Sequence, residues 1–416
     1  MIKNTLLILG AGSSAECGFP VGERLIRDIY EFAKGRTKGF NLKDGSINEL
    51  FLENKQLVWR LLDIGGLTKK DNSLYGIEDI DNFADALWAA QPRSIDEFLY
   101  DRKEFSHIGK ICILCCLSKF EDEKGLKPVL KGGLKRSVED EFIYPNLEWY
   151  RYLWHSLTDG VDGDIQKFKK NKLQIITFNY DRSLEEFLIR AIQAKFGLPE
   201  WEAFDLLKEA VSINHVYGDL GMTFVEFNYS SDETKKRKIT WVDDSPRPMP
   251  YKPFQPEVLF RLWGKPGEYG AIHRDLQDLR FTRQEDQDDL AKTVIERALR
   301  IKIYKEESPN ELTNHFKELI TASRNIIFIG FAYHKQNLDV LGLGPNLLSY
   351  ETNIFGTAYV FSNQEVLEKR DYIRKFINLP NSTHKTIHIY NVWEGFSEEG
   401  SIIRNFFRNV EGAKLS

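Results

Sequence analysis

Thr5-Leu6-Leu7-Ile8-Leu9-Gly10-Ala11-Gly12-Ser13-Ser14-Ala15-Glu16-Cys17-Gly18-Phe19-Pro20 joins an apolar run of strand length to a Gly-Ala-Gly turn. A helix is predicted to start at Ser13-Ser14. A strand, a glycine turn and a helix N-terminus in that order form the layout of a nucleotide pocket, where backbone N–H groups meet phosphate oxygens. Gly10 and Gly12 allow a sharp turn and a close approach to a pyrophosphate. The segment therefore predicts a first strand of an α/β sheet with its ligand at the strand's C-terminal end.

Short β-rich runs recur further along: 173–178, 211–216, 325–330, 355–361 and 386–390. Near-continuous apolar strands are those of a parallel sheet covered on both faces. Helical patterns at Arg182–Lys195 and Asn310–Arg324 lie between them, so the predicted fold class is α/β, a Rossmann-like doubly wound parallel sheet. Residues 1–40 and 166–416 are assigned to this core. Residues 41–165 carry few strand signals and several helical ones (94–100, 108–120, 147–154), and form a predicted helical insertion whose aromatic stripe is its own core. Residues 221–300 hold Ser245-Pro246-Arg247-Pro248-Met249-Pro250, which suits neither helix nor central strand. They are assigned to a small excursion or lid, followed by a helix over 285–301.

Composition narrows the functional classes. A net charge of −5 over 416 residues disfavours a protein built around a nucleic-acid backbone, and Lys235-Lys236-Arg237-Lys238 is read as a solvated loop. The four cysteines give no disulfide framework for this length, which suggests a reducing cytoplasm. Cys112-x-x-Cys115 sits in apolar surroundings without a second pair at zinc-finger spacing, so these are read as core thiols. No apolar stretch approaches ~20 residues, so no membrane span is expected. Thr5–Leu9 is too short for the apolar region of a signal peptide.

The glycine loop does not by itself indicate hydride transfer. A dehydrogenase places an acidic residue about twenty positions on, at the end of a second strand. Asp28 and Glu31 fall instead within a continuing helix. Three other polar clusters follow strands: Thr177-Phe178-Asn179-Tyr180-Asp181, Asn214-His215-Val216-Tyr217-Gly218-Asp219, and Gly330-Phe331-Ala332-Tyr333 with Asn337-Leu338-Asp339. Strand ends are where open α/β sheets bind ligands. Asn179 and Asp181 also suit helix capping, and His215 also suits a satisfied core position.

Together these segments resemble the sirtuin-like family of NAD-consuming enzymes. Gly10-Ala11-Gly12-Ser13-Ser14 with Gly18-Phe19-Pro20 is similar to its Gly-Ala-Gly-x-Ser…Gly-x-Pro loop, and Thr177–Asp181 to its Thr-x-Asn-x-Asp motif. His215–Gly218 falls where the family has a catalytic histidine and glycine, although Tyr217 occupies the place directly before the glycine. Gly330-Phe331-Ala332 and Phe361-Ser362-Asn363 resemble later strand ends that contact ribose. The two zinc-binding cysteine pairs of the deacylases are missing, and Pro20 leads to Val21-Gly22-Glu23-Arg24-Leu25 rather than a Phe-Arg element. Both departures resemble the bacterial antiphage branch, which hydrolyses NAD.

The resemblance implies an NAD glycohydrolase with NAD as substrate and no metal. Asn179, His215 and Asp181 would be its catalytic residues. Gly10, Ala11, Gly12, Ser13, Ser14, Glu16, Pro20, Thr177, Tyr180, Gly218, Gly330, Phe331 and Asn363 would bind the substrate. Asn179 would orient ribose hydroxyls or water. His215, ordinarily titrating near neutrality, would act as base or ribose orienter in preference to Tyr217. Asp181 would tune the pocket or cap a helix. Such an enzyme harms its host if always active, so control by homo-oligomer assembly or by a separately encoded HerA-type ATPase is expected. The rival reading is a non-catalytic NAD or ADP-ribose sensor. An NAD-dependent deacylase is the third.

Overall fold

A computed structural model of the chain describes residues 2, 4–35, 54–118, 129–130, 142–143, 148–220, 225–227, 239–241, 292, 294–304, 306, 309–344, 347–348, 352–359, 363–376 and 387–392. The apolar run at the start forms strand β1 (Thr5–Leu9), buried at every position. Two short hairpins lie apart from the main sheet: β2 (Val129–Leu130) with β3 (Phe142–Ile143), and β6 (Val225–Phe227) with β7 (Ile239–Trp241). The other five runs form β4 (Leu173–Thr177), β5 (Val211–His215), β8 (Asn325–Ile329), β9 (Asn353–Tyr359) and β10 (Ile387–Val392). These join β1 in a sheet of order β10-β9-β8-β1-β4-β5, with every neighbouring pair parallel.

That order is the doubly wound arrangement of a Rossmann-like α/β fold. From β1 the chain builds outward through β4 and β5, then returns to the opposite side of β1 to build β8, β9 and β10. The winding reverses between β1 and β8, so the crevice at their C-terminal ends is the switch point at which such sheets bind ligands. The glycine loop leaves β1 at this crevice.

The loop differs from expectation in its helix. Ala11–Cys17 is a seven-residue 3-10 helix, stopped by Gly18 in the left-handed region (φ 89°). Phe19-Pro20 then carries the chain away, and helix α1 begins only at Gly22 and runs to Ala33. A proline cannot accept the i→i−4 bond pattern of a continuing helix, and the glycine offers an easy exit just before it. Asp28 and Glu31 lie in α1, as expected for a chain with no early second strand.

The helical insertion is built from α2 (Asn54–Ile64), α3 (Ile77–Ala90), α4 (Ile95–Asp101) and α5 (Ser106–Ser118), all packed on or around α1. Ile26, Ile29 and Phe32 of α1 are buried in one continuous hydrophobic core with Leu57, Phe83, Phe98 and Ile108 of the insertion. Cys112, Cys115 and Cys116 are free thiols buried in this core. Helix α6 (Glu148–Thr158) behaves differently. It packs on α8 (Ser183–Phe196), which follows the short α7 (Ile165–Phe168), and delivers Trp149 and Tyr150, both almost fully buried, to the sheet's ligand-binding edge. The aromatic stripe is thus core, as expected, but part of it is the wall of the site.

Of the expected excursion over 221–300, only the β6–β7 hairpin and residues 292 and 294–300, which are helical, fall among the described residues. The proline cluster and Lys235–Lys238 lie outside them. No helix among the described residues is long and apolar enough to cross a membrane.

Candidate active site

The glycines at the switch point are dictated by the chain itself. The Gly12 N–H donates to the Gly330 carbonyl at 3.0 Å, and the Gly10 N–H to the Ile329 carbonyl at 3.0 Å. A Cβ on Gly10 would lie 2.5 Å from the Gly330 oxygen, and one on Gly330 (φ +59°) would lie 2.1 Å from the Ser13 nitrogen. Two main-chain segments therefore cross where any side chain would collide. The Ser13 N–H is also used, by the Gly10 carbonyl at 2.8 Å. This corrects the expectation that the amides of Gly10, Gly12 and Ser13 serve a pyrophosphate: each already has a protein acceptor.

The hydroxyls of the loop face the second motif. Asn179 follows β4, its N–H held by Thr177 Oγ1 at 3.1 Å. Its Nδ2 donates to Ser13 Oγ at 3.0 Å and to Ser14 Oγ at 2.8 Å. The Ser14 hydroxyl also bonds the Asp181 carboxyl, and toward an ionised carboxylate its single proton points there, leaving its oxygen to accept from Asn179. In this orientation Asn179 Oδ1 is buried without a hydrogen-bond partner. A buried carbonyl oxygen of this kind costs about 1–3 kcal/mol unless something donates to it.

Asp181 meets the start of α8, in keeping with the capping role among those foreseen for it. Its Oδ1 accepts the Ser183 N–H at 3.1 Å in the first turn of α8, and also the Ser183 hydroxyl. Tyr150 reaches Ser183 Oγ at 2.6 Å and extends the chain of donors toward the carboxylate. Burial pushes the Asp181 carboxyl above the usual carboxylate range, against the bonds from Ser183 and Ser14. Trp149 Nε1 donates to the Ser13 carbonyl at 2.8 Å and locks the glycine loop to α6.

His215 ends β5 and is bonded at both ring nitrogens. Nδ1 lies 2.9 Å from the Asn179 carbonyl oxygen, and Nε2 lies 2.8 Å from Glu185 Oε1. A carbonyl only accepts, so Nδ1 carries a proton. Desolvation opposes the Glu185 charge, but His215 and Arg182 hold that carboxyl at about 2, so it is ionised and Nε2 donates as well. For His215, burial alone would favour the neutral ring, yet the Glu185 carboxylate raises it above its ordinary value. With both ring nitrogens engaged by protein acceptors, neither is free to take a proton from a substrate, an arrangement that suits the orienter foreseen for His215 better than the general base.

A small cavity of about 10 Å³, room for about one water, lies here, lined on its polar side by Ser13, Ser14, Tyr150, Thr177, Asn179, Asp181 and Glu185. Glu185 and Tyr150 were not singled out in the sequence. The available signal for Glu185 was its place in the first turn of α8, directly after the strand-end motif.

The remaining residues divide clearly. Tyr180 turns away to donate its hydroxyl to Asp96 of α4, and Tyr217 donates to Asn337 Oδ1 at 3.0 Å. Phe331 is core, its ring meeting Phe178, Phe328 and Tyr333. Gly218 (φ +72°) is required by the Arg300 carbonyl, 2.1 Å from where a Cβ would sit. Pro20 is buried and Ala11 exposed at either end of the 3-10 turn. Asn363 begins a helix running to Phe376; its side chain, that of Glu16, and Phe361-Ser362 lie outside the described residues. Among the described residues no cluster of His, Cys, Asp and Glu is arranged to hold a metal ion. In comparison with known proteins, no family model and no curated sequence matches the chain.

Proposed function

We propose that the protein binds NAD at this edge and cleaves its N-glycosidic bond, releasing nicotinamide and ADP-ribose. The observation that carries the reading is Asn179 Oδ1, a buried acceptor without a partner, beside a pocket that also presents two carboxylates. An acceptor-rich site suits a group that donates hydrogen bonds and develops positive charge. The nicotinamide-bearing ribose does both. Its hydroxyls donate, and loss of the already cationic pyridinium leaves an oxocarbenium-like sugar that fixed acceptors stabilise.

The environments of the two carboxylates separate their roles. Asp181 is pushed up by burial, whereas Glu185 is held down by its cationic partners His215 and Arg182, which leaves Asp181 as the carboxyl available for proton transfer. Asp181 is the group to take the proton as water attacks the anomeric carbon, while Asn179 orients that water or the ribose. His215 orients Asn179. Homo-oligomer assembly, antiphage defence by NAD depletion and control by a HerA-type ATPase extend this proposal and rest on the family resemblance.

A non-catalytic NAD or ADP-ribose sensor is the second reading, favoured by the saturation of His215 and of the loop amides. One assay separates the two. Purified protein is incubated with NAD over a range of protein concentrations, and nicotinamide release is measured beside NAD affinity. The enzyme reading expects release that falls at least ~100-fold in Asn179→Ala and in Asp181→Asn. A rate rising faster than protein concentration would mark assembly as the switch. NAD binding without release at any concentration, with candidate partners present, would establish the sensor instead.

A further inference from the structure

We infer that Glu185 is a positioning residue, which acts through His215 to hold the Asn179 loop, and with it the Asn179 side chain, in its working geometry. The argument follows a single line of contacts. Glu185 Oε1 receives His215 Nε2 at 2.8 Å and Arg182 Nε at 3.2 Å. The opposite ring nitrogen, Nδ1, donates to the main-chain carbonyl of Asn179 at 2.9 Å. The side chain of that same residue carries the unpartnered Oδ1. A neutral imidazole can donate from only one nitrogen. Both acceptors are satisfied only by a doubly protonated ring, and the Glu185 carboxylate supplies the negative charge that keeps it so.

The charge of Glu185 is consumed in this role. Imidazolium and guanidinium lie against it from β5 and from the start of α8, with Asp219 adding a more distant negative charge on the β5 side. Glu185 lines the pocket yet is neutralised, in contrast to Asp181, whose oxygen partners are all neutral hydroxyl and amide donors. The inference deepens the proposed NAD-cleaving site, and two of its readouts do not depend on that chemistry.

The experiment uses the full chain with ¹⁵N-labelled histidine rings and asparagine side chains, His215 being identified by the signal lost in His215→Asn. In the wild-type protein at neutral pH, His215 is expected to carry protons on both ring nitrogens, with the Asn179 NH₂ protected from solvent exchange by Ser13 and Ser14. Glu185→Gln is expected to give a neutral ring that still donates from Nδ1, because the glutamine amide can donate to Nε2. Asn179 protection should then stay within about threefold of wild type. Glu185→Ala removes the support; protection is lost and kcat falls about a hundredfold, with KM changing little, as misplacement of a positioning group does. A singly protonated His215 in the wild type overturns the inference. So does Glu185→Ala with Asn179 protection or kcat intact. If Glu185→Ala fails to fold, the wild-type ring and its change in Glu185→Gln still decide. If the wild type releases no nicotinamide, the enzyme reading fails while the two spectroscopic readouts stand on their own.

Discussion

Gly330 shows how little freedom a single position has at the switch point. Its φ of +59° is disfavoured for any L side chain, and a Cβ would lie 2.1 Å from the Ser13 nitrogen and 2.3 Å from the Gly12 carbonyl carbon. Gly330→Ala is expected to destabilise the fold by roughly 3 kcal/mol or more, measured by urea unfolding. Gly66→Ala serves as its control: Gly66 has the same φ with nothing within 4 Å, so it isolates the backbone cost from the collision. Glu185 and His215 make a second prediction, in pH. The Glu185 carboxyl is held at about 2 against an ordinary 4.5, so its contribution is present above 4.5 and is lost as pH falls toward 2. His215 is raised above 6.5, so its contribution is complete below 6.5 and is lost as pH climbs through the raised value. The stability difference between wild type and Glu185→Gln should therefore be largest between pH 4.5 and 6.5 and shrink on both sides, as thermal melts at stepped pH will show.

Among the elements, α4 is tied to the strand end that carries Asn179. Ser94 caps it by accepting the Glu97 N–H at 3.2 Å, and Asp96 in its first turn accepts the Tyr180 hydroxyl beside Asn179. Burial pushes the Asp96 carboxyl up to about 6 from 3.8, the Tyr180 bond offsetting only part of the cost. A carboxyl raised on folding supports the fold below its unfolded value and weakens it as pH rises through the folded one. Asp96→Asn keeps an acceptor for Tyr180 and removes the buried charge. Its melting temperature relative to wild type should rise as pH is taken from 4 through 6 to 8. A relative melting temperature that falls over that range would mean that the Asp96 charge itself is stabilising.

At the level of the whole molecule, the insertion and the sheet domain are one packed body among the described residues. Helix α1 shares a continuous core with α2 to α5, and a polar tie crosses the same boundary. Lys110 of α5, its side chain only 5% exposed, holds both oxygens of Glu306 at 2.7 Å. Glu306 is 40% exposed, so solvent screens part of that attraction. Glu306→Ala leaves a buried ammonium without this partner and is expected to cost about 2 kcal/mol in denaturant unfolding, whereas Lys110→Met should be close to neutral. A cost for Lys110→Met equal to that of Glu306→Ala would mean that the pair itself stabilises the fold.

Strands, the glycine turn and the polar strand ends were legible in the sequence because they depend on local order. A continuous apolar run selects a doubly covered strand, and Asn179 and Asp181 follow β4 wherever that strand is placed. The 3-10 turn was less so, since its end depends on Gly18 and Pro20 acting against a helical pattern. Only the tertiary structure decided which acceptors the Gly10, Gly12 and Ser13 amides meet, and that both His215 nitrogens are engaged. Glu185 became visible for the same reason. Hydrogen-bond partners and protonation states are set by groups from separate strands meeting at one sheet edge, and no local pattern encodes that meeting. The chain alone determined where chemistry can occur; the packing of β1 against β8, and the bond from His215 of β5 to Glu185 of α8, determined which groups remain free to perform it.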